Sequence, residues 1–129
     1  MKIWVEALRS GKYTQTRDVL RNAEGRYCCL GVLCELFSEQ HPGMAEWKPD
    51  KYGNSFDVFH VGDDFDHSHL PKTVRDWAEM RSTAGRLSLL AAVSDMPPGC
   101  DWSLVALNDH AKFGFERIAD FIEKNYEHL

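Results

Sequence analysis

The apolar positions change period along this chain, and the changes mark its elements. Trp4, Ala7 and Leu8 recur at i, i+3 and i+4 before Ser10-Gly11, which predicts a short amphipathic helix over about residues 2–10. Tyr13-Thr14-Gln15-Thr16 alternates and is β-branched, as a strand or extended arm is. Val19-Leu20-Arg21 and Arg26-Tyr27-Cys28-Cys29 flank the turn-rich quartet Asn22-Ala23-Glu24-Gly25, a pattern that closes a hairpin. Leu30, Leu33, Leu36 and Phe37 then share one helical face, and His41-Pro42-Gly43 ends that helix.

Residues 43–70 follow neither period for long. Trp47, Tyr52, Phe56, Val58 and Phe59 are broken by Pro49-Asp50, Gly53-Asn54 and Gly62-Asp63, which predicts short strands around 45–48 and 55–61. Leu70-Pro71 starts a helix carrying Val74, Trp77 and Ala78 and extending to Met80 or Arg81. Between Ser82 and Cys100, Leu87, Leu89, Leu90 and Val93 fit a helix or a strand equally, and Met96-Pro97-Pro98-Gly99 is a break. Asp101 is the expected cap of a short helix with Trp102, Val105, Ala106 and Leu107, halted at Asn108-Asp109. Phe115, Ile118, Ala119, Phe121 and Ile122 predict the last helix, about 114–126. The expected fold is α+β: one compact domain over residues 1–129, with a small antiparallel sheet or hairpin packed against four to five short helices.

Composition places this expectation among ordinary globular domains. At 129 residues, 43% hydrophobic and 27% charged, the chain can bury a core, and no window resembles a membrane span. The N-terminus has no signal-peptide core, so cytoplasm is the expected compartment and the four cysteines are expected as free thiols. Charge is uneven. Residues 1–26 carry six basic groups against three acids and the remainder nine against seventeen, so the net −5 divides into +3 and −8. An acidic body disfavours nucleic acid, whereas a small basic face suits one anionic group or an acidic patch on a partner.

Cys28, Cys29 and Cys34 are the most tempting chemistry. Structural zinc sites use pairs such as C-x2-C, and none exists here. Adjacent cysteines in a strand point to opposite faces, and no partner histidine identifies a nucleophile. Core packing at the junction of a strand and a helix is the stronger reading. The run from His60 to His69 is the densest set of potential ligands, and His60, Asp64, His67 and His69 define a mixed His/carboxylate metal alternative. An acidic loop before a helix gives the same letters without a metal, so no cofactor is expected.

The basic N-terminal set is the favoured binding surface. Arg9, Lys12, Tyr13, Gln15, Arg17 and Arg21 combine aromatic, amide and guanidinium groups that stack on a planar ring and clamp an anion. Asn108 joins them as a residue that organises this loop from inside, although a simple turn at Asn108-Asp109 accounts for the letters too. No nucleophile–base pair, phosphate loop or carboxylate dyad is visible, so no catalytic residue is assigned.

Three stretches resemble a family of small phage and prophage proteins without assigned chemistry. They are Trp4-x-x-Ala7-Leu8-Arg9-Ser10-Gly11-x-Tyr13-x-Gln15, then Tyr27-Cys28-Cys29-Leu30-Gly31-Val32-Leu33-Cys34, and then Leu107-Asn108-Asp109 with Phe115-x-x-Ile118-Ala119-Asp120-x-Ile122-Glu123. Leu70-Pro71-x-x-Val74-Arg75-Asp76-Trp77-Ala78 accompanies the third. The chain departs from the family at Thr16 and at Lys112-Phe113-Gly114, where glycine and Gly-x-Ser are common. The resemblance implies an accessory role, such as neutralising a host defence. The expected function is a non-enzymatic binding protein that inhibits a host protein or sequesters an anionic, nucleotide-like ligand; the alternative is a small metal-dependent hydrolase. No membrane partner is expected, and a homo-oligomer is compatible with the sequence.

Overall fold

A computed structural model describes residues 2–86 and 103–129. Helix α1 (Lys2–Arg9) forms where Trp4, Val5 and Leu8 make one buried stripe, and Arg9 in its last turn suits the negative end of the helix dipole. Gly11, at φ 77°, turns the chain away. Helix α2 (Cys29–Gln40) is apolar around most of its circumference, with Cys29 to Cys34 all buried, and it forms the centre of the core. The Trp4 indole donates to the Cys29 carbonyl at 3.0 Å, which fixes α1 across the start of α2.

The three-stranded antiparallel sheet has the order β1 (Ala45–Pro49), β2 (Asp57–Val61), β3 (Asp64–Asp66). Trp47 pairs with Phe59 and Lys48 with Val58 in β1–β2, and His60 pairs with Phe65 in β2–β3. Alternation sends Phe59 and Val61 inward, both buried, and leaves Val58 and His60 on the outer face. β3 was not expected. Gly62, at φ 59°, permits the tight turn that folds Asp64–Asp66 back on β2.

Helix α3 (Lys72–Trp77) follows Pro71 as expected but stops earlier than Met80 or Arg81. Glu79 takes φ 58°, and the Met80 amide returns to the Arg75 carbonyl at 3.0 Å, so Met80 is buried beyond the helix rather than on its face. Helix α4 (Leu104–Asp109) is capped by Ser103, whose Oγ accepts from the Ala106 amide at 3.1 Å. The expected cap Asp101, with Trp102 and the ambiguous Leu87–Val93 pattern, lies outside the described residues. Helix α5 (Phe115–Asn125) lays Ile118, Ala119 and Ile122 against α1.

The segment expected to form a hairpin does so without regular strands. Tyr27 bridges Arg21 on one side and Gln15 on the other, and Asn22 bridges Phe56 beside the sheet. Asp18 at φ 72° breaks the incoming arm, and Asn22 Oδ1 accepts from the Glu24 and Arg26 amides to close the turn. These elements make a single α+β domain of five helices and one small sheet among the described residues. None of its helices is long and apolar enough to cross a membrane.

Candidate functional site

The N-terminal polar set is in place, and the structure uses much of it internally. Asn108 is wholly buried and lies in the last turn of α4, not in the turn that Asn-Asp suggests. Its Oδ1 accepts from Gln15 Nε2 at 2.8 Å and from the Cys29 amide at 3.2 Å. Its Nδ2 donates to the Thr16 carbonyl at 2.9 Å and to Asp109 Oδ1 at 2.8 Å. All four hydrogen-bonding positions of the amide are therefore filled. Asp109 Oδ1 also takes the amide of Asp18, and Gln15 Nε2 reaches the Phe113 carbonyl.

Arg9 faces α5, with its guanidinium 2.5 Å from Asp120 and 3.0 Å from Glu123. Lys12 lies 3.7 Å from Glu39 and 5.4 Å from the centre of the Tyr13 ring. Arg17 is exposed. Arg21 is half-buried and stands over both Tyr27 and Trp47, 5.7 and 5.3 Å from their ring centres. Its Nε is 3.1 Å from Asp57 Oδ2, but off the N–H direction, so the contact is an ion pair without a hydrogen bond from Nε. Glu35 completes this wall by accepting from Trp47 Nε1 at 2.8 Å and from the Tyr27 hydroxyl at 3.4 Å. Burial, and then the Glu35 charge, push the Tyr27 phenol up to about 12.

Among the described residues the thiols belong to the interior; Cys100 and the break Met96-Pro97-Pro98-Gly99 lie outside them. Cys28, Cys29 and Cys34 are buried, and Cys28 is not a strand residue as expected: it caps α2, with its Sγ accepting from the Gly31 amide at 3.3 Å. Burial pushes the Cys28 thiol up to about 12 and holds Cys29 and Cys34 well above the ordinary value. Packing among apolar neighbours is what these three side chains contribute.

The four residues of the metal alternative diverge. His60 stacks on Phe65, His67 stacks on Phe56, and His69 Nδ1 meets Ser68 Oγ at 2.9 Å. Asp64 accepts from the Thr73 amide at the start of α3. Among the described residues no three His, Cys, Asp or Glu side chains converge as a metal site.

What these rings form instead is a groove of about 650 Å³ on the outer face of the sheet. Register arranges the face in three rows. Glu46, His60 and Phe65 form one, Lys48 and Val58 the next, and Asp50 with Phe56 the third, where the Asp50 amide donates to the Phe56 carbonyl. The ring pair His60–Phe65 stands at one end, with centres 5.5 Å apart and planes inclined by 22°. The pair Phe56–His67 stands at the other, 4.5 Å apart and inclined by 17°. The loop after β1 adds Lys51 and Tyr52. Tyr52 and Phe65 are 78% and 63% exposed, and they cluster in this concavity rather than lying scattered over the surface.

Sequence reasoning missed the groove while containing its signal. Phe56-x-Val58-x-His60 and Phe65-x-His67 alternate so that all five share one face, and a metal-ligand role for His60 and His67 leaves Phe56 and Phe65 without a part. Tyr27, Glu35, Trp47 and Asp57 around Arg21 carried no local signal.

No curated protein and no solved structure matches the chain significantly. A family model matches nearly all of it, from residue 1 to residue 126, and the chain accordingly belongs to the family of the domain of unknown function DUF8296.

Proposed function

We propose that this protein is a non-enzymatic binding protein that captures an anionic, nucleotide-like small molecule in the groove on the outer face of the sheet. The observation that carries the reading is the groove itself: two ring pairs, Lys48 and Lys51 among its lining residues, and a volume within the range of about 300–1,000 Å³ typical of ligand sites. Flat rings offer stacking surfaces to a nucleobase, and the ammonium groups offer charge to a phosphate. The resemblance to phage-borne accessory proteins favours sequestration of a host signalling or defence nucleotide over turnover. Arg9 and Arg21 are already engaged with Asp120, Glu123 and Asp57, which makes the N-terminal face the weaker choice for an anion.

Equilibrium dialysis of the protein against nucleoside monophosphates and dinucleotides tests the reading. Retention of at least one of them, returned unaltered after incubation, is expected. Retention of none, or recovery of a hydrolysed product, overturns it.

A further inference from the structure

Register gives the groove two similar ends and a different middle. One end carries the ring pair His60–Phe65; the other carries Phe56–His67, with Asp50 beside Phe56. Between them Lys48 lies in register with Val58, the aliphatic residue that separates the two ring pairs along β2. At a strand rise of about 3.3 Å per residue, Phe56 and His60 are about 13 Å apart and Phe65 and His67 about 7 Å, so the two platforms lie about 10 Å apart. One nucleobase cannot cover both.

We infer that the ligand of this groove is a dinucleotide, with one base on each ring pair and its phosphate linkage over Lys48. The inference rests on the binding function proposed above and deepens it. Each end supplies an aromatic face for stacking, and Asp50 at the Phe56–His67 end adds a carboxylate that accepts from an exocyclic amine. The middle supplies what a phosphate needs. Lys48 Nζ lies 3.2 Å from Glu46 in an exposed pair, and such pairs contribute little, so the ammonium is available to a stronger anion. Asp50 is held in place by two hydrogen bonds from Asn54, at 3.3 Å from its amide and 2.7 Å from its Nδ2. Ring pairs at the ends and the Lys48 ammonium between them match the order base, phosphate, base along a two-base ligand. A mononucleotide places its phosphate near Lys48 but leaves one platform empty.

Calorimetric titration of the full chain separates the cases. The probes are a 5′–5′ pyrophosphate-linked dinucleotide, a 3′–5′ phosphodiester-linked dinucleotide and the corresponding monophosphates. A second stacked base is worth about 1–3 kcal/mol, so a linked form should bind about tenfold or more tightly than either monophosphate. Which linkage binds better identifies the source of the two bases. Phe65→Ala and His67→Ala, both at exposed positions, should each reduce dinucleotide affinity to the monophosphate level with an unchanged thermal melt. Lys48→Gln should weaken binding and flatten its salt dependence. Equal affinities for one-base and two-base ligands overturn the dinucleotide assignment and leave the binding function standing. Failure of every nucleotide to bind overturns both.

Discussion

Asn108 shows how a single amide can carry a junction. It joins α4, the first turn of α2 and the arm around Gln15 and Thr16, with both donors and both acceptor positions filled in a site without solvent exposure. Asn108→Ala removes these bonds and leaves the buried Cys29 amide without its acceptor. An unsatisfied buried group costs about 1–3 kcal/mol, and the network as a whole should cost about 3 kcal/mol, measured as a lower urea midpoint at unchanged slope. The thiols make a second prediction, at alkaline pH. The folded state holds the Cys28 proton up to about 12, whereas an ordinary thiol releases it near 9.0. Across that window the unfolded chain binds fewer protons, so stability falls as pH rises, by up to about 1.4 kcal/mol per pH unit for each such thiol. Cys29, Cys34 and the Tyr27 phenol shift in the same direction and add to the loss. Urea midpoints at pH 8 and pH 10.5 check it, the second being lower; equal midpoints would show that the thiols are not buried as described.

At the scale of elements, α2 and the sheet illustrate different sources of order. Helix α2 approaches the preceding segment so closely that a Cβ on Gly31 would lie 1.8 Å from the Leu20 carbonyl oxygen. Neither atom can withdraw by changing rotamer, because the helix backbone fixes the Cβ and the oxygen belongs to the Leu20 peptide. Gly31→Ala should therefore exceed the about 1–3 kcal/mol of ordinary overpacking and leave the chain unable to fold at 37 °C, read as loss of the cooperative melt. The helix was legible in the sequence because Leu30, Leu33 and Phe37 repeat at its period and Pro42-Gly43 punctuates its end. The hairpin around Tyr27 was legible as a turn but not as isolated bridges, since nothing in the residues themselves shows that Asp18 takes a left-handed conformation. α3 ended early for a similar reason: burial of Met80 beyond the last turn is decided by what packs there, not by helical propensity.

For the whole molecule, the division of charge had a different consequence from the one its distribution suggests. The basic excess of residues 1–26 is partly consumed in holding the fold together, through Arg9 to α5 and Arg21 to the start of β2. The wall of Arg21, Tyr27, Trp47, Glu35 and Asp57 supports the inner side of the sheet, and the groove lies on the outer side. One layer of strands thus has a packed face and a solvent face with separate tasks.

Periodicity and punctuation along the chain determined the helices at either end, the core helix after Tyr27, the strands β1 and β2 and the interior place of Cys28, Cys29 and Cys34. Each follows from residues within a few positions of one another, whose spacing fixes which face is apolar. Tertiary structure alone decided the role of Asn108, whose partners Cys29 and Gln15 lie 79 and 93 positions away. It also decided that His60 and His67 pair with phenylalanines rather than with each other. Those outcomes depend on strand register and on contacts between distant segments, which local sequence does not encode.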